Sequence, residues 1–231
     1  MPKALIILTS HDRLGDSGKS TGFYWEELAA PYWILSDAGY QVELASIAGG
    51  RPPADPTSAE GDAVTDHVRR FMADDAAMNR LNNTERVEDV EIDACGIIYL
   101  PGGHGTMWDL PRSSALGNLL ARAWEKGVSI GAVCHGPAGL LEARLSSGAP
   151  LVEGRRVAGF ANSEEQAVGL SDTVPFLLED ELKARGAQYE RGPDWQPFAV
   201  ADGKLVTGQN PASSADVALL LLKAAHLPTV P

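Results

Sequence analysis

The chain has 231 residues, of which 44% are hydrophobic and 22% charged, a balance typical of a globular protein with one large α/β domain or two small ones. Its 19 basic and 31 acidic residues give a formal net charge of −12, which argues against nucleic acid or an anionic membrane as the main partner. The two cysteines, Cys95 and Cys134, each lie in an apolar, strand-like context, so we expect no disulfide framework and a reducing, cytoplasmic location.

The first 47 residues predict one β-α-β unit. A continuous apolar run over residues 4–9 is typical of a strand buried on both faces of a parallel sheet. A helix is expected from residue 21 to Gly39, because apolar residues follow at helical spacing, namely Trp25, Leu28, Tyr32 and Leu35. Residues 42–47 then form the second strand, which implies a right-handed crossover.

Residues 48–90 interrupt this alternation. The segment over residues 49–56 is rich in glycine and proline and excludes regular helix or strand, and two short helical patterns follow around residues 61–72 and 75–81. We interpret residues 48–90 as a cap-like insertion over one end of the sheet. An active-site rim and an interaction surface are its two candidate roles.

The rest of the chain returns to strands and helices. The pattern predicts a strand over 95–100, a helix over 116–126, a strand over 128–133, short strands at 151–152, 155–158 and 160, a helix capped by Asn162, a helix over 174–184, a hairpin over 198–207 and a last helix from 211 to 222. No internal repeat or low-complexity linker separates these elements. We therefore expect a single domain over residues 1–231 with a doubly wound sheet.

The stretch around Cys134 predicts a nucleophile elbow. Ala132 and Gly136 place small residues two before and two after the cysteine, between a buried strand and an expected helix start. A thiol at a helix N-terminus meets the positive end of the helix dipole, which favours the thiolate. The alternative, a buried inert cysteine, is assigned to Cys95, which begins a strand and has no polar neighbour.

Three further segments carry polar residues to the carboxyl ends of predicted strands or to the helix after the first strand. They are the glycine-rich loop Gly102-Gly103-His104-Gly105, the acidic pair Glu164 and Glu165 after Gly159-Phe160, and the pair Glu26 and Glu27 on the first helix. The glycine-rich loop lacks the lysine of a phosphate-binding P-loop. The spacing of histidines and cysteines indicates no metal site.

Taken together, these segments resemble the ThiJ/PfpI superfamily. The residues that carry the resemblance are those at 21–27, 102–106, 132–138, 159–160 with Glu165, and 206–213. It covers nearly the whole chain and is closest to the heat-shock-chaperone and glutathione-independent glyoxalase (glyoxalase III) branch. The superfamily shares a flavodoxin-like architecture with class I glutamine amidotransferases, so the resemblance implies a mainly parallel sheet with helices on both faces.

The resemblance also implies roles for individual residues. Cys134 would be the nucleophile, His135 its acid/base partner, and Glu165 the carboxylate that orients the histidine, with Glu164 as the alternative. Glu27 would hydrogen-bond the cysteine. A carboxyl beside a buried helix face should have a raised pKa, whereas a solvated surface glutamate is the alternative.

The loop at residues 102–105 receives a separate role from the same resemblance. The backbone N–H of Gly103, with that of His135, would form an oxyanion hole, and Gly102 and His104 belong to the same hole and pocket. For His104, lining the pocket and having no role are equally open.

These residues lead to three functional hypotheses. The first is a cysteine-dependent lyase of the glyoxalase III or D-lactate dehydratase type, which converts methylglyoxal and water to lactate. The second is a hydrolase, either a deglycase or amidase or a small-peptide hydrolase, that uses the same Cys-His-Glu triad. The third is a holdase chaperone or oxidative-stress sensor, since an exposed thiol of low pKa is readily oxidised. A class I amidotransferase is disfavoured, because its histidine belongs to a downstream His-x-Glu motif that this sequence lacks.

The expected partners follow from the same reasoning. We expect a small aldehyde substrate, no cofactor, no metal and no nucleic acid, and the resemblance implies a homodimer. No apolar run approaches the roughly 20 residues needed to span a bilayer, and the N-terminus lacks the apolar region and cleavage site of a signal peptide. We therefore expect no membrane association.

Overall fold

A seven-stranded sheet forms the centre of the structure, a computed structural model that describes residues 1–226. From edge to edge its strands are β3 (Glu85–Arg86), β2 (Gln41–Ser46), β1 (Lys3–Leu8), β4 (Cys95–Leu100), β5 (Ser129–Val133), β9 (Leu205–Gly208) and β8 (Ala199–Asp202). Only the β8–β9 hairpin is antiparallel within this sheet. The predicted flavodoxin-like, mainly parallel sheet is confirmed.

Helices cover the sheet on both faces. They are α1 (Trp25–Asp37), α2 (Asp66–Ala73), α3 (Asp75–Asn82), α4 (Thr106–Asp109), α5 (Ser114–Glu125), α6 (Asn162–Ala167), α7 (Leu178–Ala184) and α8 (Ser214–Ala224). Successive side chains of a strand point to opposite faces, and all five residues of β5 are buried, so both faces of this strand are covered. Helices α5 and α8 both contact β5, and α1 packs against α8.

Two predicted helices are shorter in the structure. The first begins at Trp25, not at residue 21, because Phe23 instead exchanges backbone hydrogen bonds with Pro53 and Asp55. The helix expected over 174–184 begins only at Leu178. Val174 precedes Pro175, and the residue before a proline is driven away from the helical region.

Three further expectations are wrong in detail. Residues 151–152 form a turn rather than a strand, between Pro150 and Gly154, and the short strand expected at Phe160 does not form. Asn162 was expected to cap a helix, but it is the first residue of α6 and the N-cap is Ala161. The Ala161 N–H donates a hydrogen bond to Glu164 Oε2 at 3.1 Å.

Two pairings of short strands were not predicted. The strand expected over 155–158 is reduced to β6 (Arg156–Val157), which pairs with β7 (Gln188–Tyr189) in a separate two-stranded sheet. Strand β3 adds two residues to the edge of the main sheet. Two-residue strands show no alternation of hydrophobicity, because they are too short to repeat it.

Residues 48–90 contain the two predicted short helices, α2 and α3. The segment packs on α1, where Arg70 lies 3.7 Å above the Trp33 ring and pairs with Asp37. The single-domain range predicted above includes residues 227–231, which lie outside the described residues. Within residues 1–226, no helix is both long enough and apolar enough to cross a membrane.

Candidate active site

The backbone at Cys134 turns sharply at the end of β5. Cys134 has a φ of 58°, a left-handed conformation that is strained for a residue with a side chain. Its N–H donates to the Gly208 carbonyl at 3.0 Å, and its carbonyl accepts from the Phe160 N–H at 2.8 Å. At Gly136 a Cβ atom would lie 2.2 Å from the Leu100 carbonyl oxygen, so the small residue predicted after the nucleophile is required here.

The segment after the turn is not an α-helix. Residues Gly136–Leu140 form a 3-10 turn, where Pro137 follows directly on the elbow. A single short 3-10 helix has a smaller dipole than the α-helix that was expected to favour the Cys134 thiolate. Burial, followed by the neighbouring Glu27, raises the pKa of the thiol well above its ordinary value, which opposes the ionisation expected from the sequence.

Cys134, His135 and Glu165 form one hydrogen-bonded series. Cys134 Sγ lies 3.3 Å from His135 Nδ1, and His135 Nε2 lies 2.7 Å from Glu165 Oε2. All three side chains are buried. The structure thus brings together the thiol, the imidazole and the carboxylate in the order that a Cys-His-Glu triad requires.

Glu164, the alternative to Glu165, points elsewhere. Its Oε1 accepts hydrogen bonds from the Trp195 N–H at 2.9 Å and from Asn210 Nδ2 at 2.8 Å. Its Oε2 accepts from the Ala161 N–H at the start of α6. Glu164 therefore joins three backbone segments around the pocket and makes no contact with the histidines.

His104 is the second histidine on the Glu165 carboxylate. Its Nε2 lies 2.8 Å from Glu165 Oε1, and its ring centroid lies 4.2 Å from that of His135. Although burial alone would raise it, the two histidines hold the pKa of Glu165 well below its ordinary value. Burial and the charge of His104 lower the pKa of His135, so the imidazole is neutral and able to accept a proton.

Glu27 is completely buried beneath the thiol. Its Oε2 accepts a 2.6 Å hydrogen bond from the Gly102 N–H, while its Oε1 has no hydrogen-bond partner among residues 1–226. Burial raises the pKa of Glu27 from 4.5 to about 8, and contact with Cys134 and the Gly102 N–H only partly offsets this. The carboxyl is therefore mostly protonated at neutral pH, in line with the raised pKa expected from the sequence.

The glycine-rich loop supplies backbone donors. Hydrogen bonds from the N–H groups of Gly103 and His135 to the thiol lower the pKa of Cys134, against the larger effect of burial. Gly103 has a φ of 96°, and a Cβ there would lie 2.3 Å from the Gly22 carbonyl oxygen. These are the same two N–H groups that the resemblance assigns to an oxyanion hole.

A cavity of about 410 Å³ opens beside the thiol. Its walls include Cys134, His135, Gly103 and His104, together with residues of the motifs that carry the resemblance, namely Tyr24, Phe160, Asn210, Pro211 and Ala212. The sequence did not single out the remaining wall residues, which are Asp55, Thr57, Val168 and Trp195. Asp55 and Thr57 belong to the segment 48–90, for which an active-site rim was one of the two candidate roles.

One group in the site has the composition of a metal site. The ligand atoms of His104, His135 and Glu165 lie within 4.8 Å of one another. The spacing along the chain gave no sign of this cluster, because its members come from three separate segments, namely the loop before α4, the elbow after β5 and helix α6. The nitrogen-to-oxygen distances of 2.7 and 2.8 Å are those of hydrogen bonds, so protons link these groups as they stand.

Comparison with known proteins gives one consistent family. The model of the DJ-1/PfpI family matches residues 20–224. The glutathione-independent glyoxalase HSP31 of Saccharomyces cerevisiae is 30% identical over 228 residues, which cover 94% of this chain and 95% of that protein.

Two solved structures extend the match to three dimensions. The X-ray structure of the 24 kDa Rapid Encystment Protein of Francisella tularensis is 36% identical, with a TM-score of 0.94, and covers 98% of this chain and 100% of that one. The crystal structure of glyoxalase III from Candida albicans is 28% identical, with a TM-score of 0.89, and covers 96% of this chain and 97% of that one.

Proposed function

This chain belongs to the DJ-1/PfpI family, and we propose that it is a glutathione-independent glyoxalase that converts methylglyoxal and water to lactate. Relatives that match nearly its full length carry the names glutathione-independent glyoxalase and glyoxalase III. The observation that carries the proposal is the pair of groups on Cys134, with His135 Nδ1 at 3.3 Å on one side and the buried Glu27 carboxyl on the other.

In the first step, Cys134 Sγ adds to the aldehyde carbon of methylglyoxal. The thiol proton passes to His135 Nδ1, and the histidine then gives it to the new hydroxyl oxygen. The product is a hemithioacetal, in which the sulfur is bonded to the former aldehyde carbon. The N–H groups of Gly103 and His135 stabilise the negative charge that develops on the oxygen.

In the second step, a proton moves between the two substrate carbons. The ionised form of Glu27 removes the C–H proton of the carbon bonded to sulfur and returns it to the neighbouring carbon, while the hydroxyl proton passes to the second oxygen. The intermediate becomes the thioester of lactate. A base is most effective when its pKa lies near the working pH, and the Glu27 pKa of about 8 meets this condition.

In the third step, water cleaves the thioester. His135 takes a proton from the water as it attacks the carbonyl carbon, the carbon–sulfur bond breaks, and the thiol is restored. Glu165 stabilises the protonated imidazole, because its carboxylate lies 2.7 Å from His135 Nε2 and remains ionised at neutral pH. No external oxidant or reductant is needed, since the aldehyde carbon is oxidised to the carboxyl level while the ketone carbon of the same molecule is reduced to an alcohol.

The test is lactate formation from methylglyoxal without glutathione by the purified chain and by the Cys134→Ala and Glu27→Gln variants. We expect activity in the unsubstituted protein and a loss of at least roughly 10³-fold in both variants. Glu26→Gln is the matched control, because Glu26 lies next to Glu27 but bonds Thr65 and His67 on the far side of α1. Equal turnover in the unsubstituted protein and Cys134→Ala would contradict the proposal.

A hydrolase that uses the same triad is the second candidate, because the two N–H groups facing the thiol also suit the oxyanion of acyl transfer. Release of free amine from a glycated or amide substrate faster than methylglyoxal turnover would favour it. We further propose that the chain is a single-domain homodimer of the cytoplasm. Both cysteines are free of disulfides, which supports the location, and size-exclusion chromatography with light scattering tests the dimer.

A further inference from the structure

The cavity is larger than a three-carbon aldehyde needs, and the space beyond the thiol is bordered by apolar side chains. Phe160, Val168 and Trp195 line this part, together with Pro211 and Ala212. The side chains of Val168 and Trp195 are 43% and 47% exposed, and they are two of the five large hydrophobic residues that the described chain leaves in solvent. Exposed apolar groups gathered at a cavity mark a surface that binds an apolar partner.

An aromatic wall leads from the histidine to the mouth of the cavity. The Phe160 ring lies 4.4 Å from the His135 ring, centroid to centroid, and meets the Trp195 ring edge-on at 6.0 Å. Tyr24, Asp55 and Thr57 contribute polar groups to the cavity lining and lie outside this row of aromatic rings. A substrate joined to Cys134 thus has one apolar direction in which a side group can extend.

Trp195 is held in place at the cost of backbone strain. Its φ is 62°, a conformation that bulky residues rarely adopt, and such strain persists where the surroundings enforce it. The Trp195 N–H donates a hydrogen bond to the buried Glu164. The residues on either side of Trp195 are also held, since Asp194 Oδ1 lies 2.7 Å from Ser163 Oγ and the Gln196 carbonyl accepts a hydrogen bond from Asn210 Nδ2 at 2.9 Å. With the backbone held in this way, only the side-chain torsions of Trp195 are ordered when a ligand packs on the ring.

We propose that Phe160, Val168 and Trp195 form a subsite for an apolar, preferably aromatic, substituent on the ketone carbon of a 2-oxoaldehyde. This rests on the proposed glyoxalase reaction and names the class of substrate. Attack by Cys134 at the aldehyde carbon leaves the substituent on the adjacent carbon, from where it reaches the Phe160 ring. Trp195 is then a specificity-determining residue that takes no part in the chemistry.

The first test compares kcat/KM for phenylglyoxal and methylglyoxal. We expect the unsubstituted protein to prefer phenylglyoxal, and we expect the ratio of the two kcat/KM values to fall roughly threefold to tenfold in Trp195→Gly. Glycine adopts a φ of 62° without strain and keeps the N–H that Glu164 binds, so the substitution removes the indole alone. Trp195→Phe should restore most of the preference.

Two further variants separate binding from folding. Val168→Ala alters an exposed side chain of the same subsite and should lower the preference, whereas Leu219→Ala, an exposed apolar residue of α8 outside the cavity, should not. An unchanged ratio in both Trp195→Gly and Val168→Ala would overturn the subsite.

A second readout does not depend on glyoxalase activity. This readout is the ratio of two rates of Cys134 alkylation, by N-phenyl iodoacetamide and by iodoacetamide. We expect the ratio to exceed one and to fall in Trp195→Gly. Cys134→Ala is the control for reaction at Cys95. If the protein turns over neither aldehyde but shows this alkylation pattern, the proposed function fails and the apolar subsite stands. If it turns over methylglyoxal but shows no aryl preference in either assay, the subsite fails and the glyoxalase function stands.

Discussion

The sulfur of Cys134 lies 3.3 Å from Nδ1 of His135, the next residue in the chain. Adjacent side chains of a strand point to opposite faces and cannot meet in this way. The contact exists because the backbone at Cys134 adopts a φ of 58°. The distance between nucleophile and base is thus set within a single turn, and it depends on backbone strain that the neighbouring strand and loop maintain.

This strain predicts an inverted order of stability for two substitutions. Proteins are normally more stable with alanine than with glycine at a given position. At a position with left-handed backbone, alanine instead lowers the free energy of unfolding by about 1 kcal/mol relative to glycine. We therefore expect Cys134→Gly to have a free energy of unfolding about 1 kcal/mol higher than Cys134→Ala. Urea denaturation of both variants measures this difference, and the ordinary order would show that the turn relaxes when the thiol is absent.

Glu27 predicts a pH dependence of stability. The pKa of Glu27 is about 8 in the folded protein and 4.5 for an ordinary glutamate. Between pH 4.5 and pH 8, the folded state therefore keeps a proton that the unfolded state has released. This contribution is fully present below pH 4.5 and is lost as the pH rises through 8, by on the order of a few kcal/mol. Glu27→Gln, which imitates the protonated acid, should lose less stability between pH 5 and pH 8.

Urea midpoints at pH 5 and pH 8 provide the measurement. The comparison must be between variants, because His135, whose pKa is lowered, contributes in the opposite direction. The control is Glu91→Gln, at an exposed glutamate outside the cavity, which should keep the pH dependence of the unsubstituted protein. Identical pH dependence in Glu27→Gln and the unsubstituted protein would mean that Glu27 is ionised in the folded state at neutral pH.

Substitutions at the two neighbouring glutamates of α6, Glu164 and Glu165, should have different effects, one on stability and the other on activity. Glu165→Gln removes the charge that stabilises protonated His135, so we expect turnover to fall roughly 10²-fold with little change in fold. Glu164→Gln leaves the histidines untouched but loses the acceptor for the Ala161 N–H, which should lower stability by about 1 kcal/mol. Initial rates and thermal unfolding of both variants measure these effects. If Glu164→Gln were inactive and Glu165→Gln active, Glu164 would be the carboxylate that supports His135.

His104 should control the pH range of activity. Burial and then the charge of His104 lower the pKa of His135, so replacing His104 with glutamine removes one of these effects and raises that pKa. His135 must be neutral to accept the thiol proton, and activity therefore fails as the pH falls through its pKa. We expect the acid limb of the kcat/KM profile to move to higher pH in His104→Gln. A lower plateau with an unmoved limb would assign His104 to positioning alone.

The close approach at Gly103 should be visible as lost stability. Gly103 and Gly148 have similar φ values, 96° and 86°, so alanine is strained at both. A Cβ at Gly103 would also lie 2.3 Å from Gly22 O, whereas nothing lies within 4 Å of a Cβ at Gly148. We expect Gly103→Ala to cost at least roughly 2 kcal/mol more than Gly148→Ala, and equal costs in denaturation would show that the loop yields.

The sequence was sufficient for the parts of the fold that repeat a pattern. The buried run of β1, the spacing of apolar residues along α1 and the hairpin of β8 and β9 each contain enough residues to show their period. Helix α7 shows where this fails, since a proline outside the helix decided its start.

The site was predictable where one short motif holds the groups together and not where folding brings them together. Cys134 and His135 are adjacent, so the elbow pattern located both. That Glu165 and not Glu164 faces His135, as the resemblance implied, depends on the rotation of α6, which the two glutamates alone do not encode. The bond from His104 to Glu165 joins residues 61 positions apart, and the raised pKa of the thiol is a result of burial, which only packing determines.

The position of β5 in the sheet determines at what point of protein synthesis Cys134 can make its contacts with the rest of the site. β5 pairs on one side with β4, which precedes it, and on the other with β9, near the end of the chain. A nascent chain that has left the ribosome only as far as Cys134 lacks Gly208, Phe160 and Glu165, which hold the elbow and orient its histidine. The catalytic turn therefore closes only after β9 has been synthesised, and Cys134 lacks its final contacts until then.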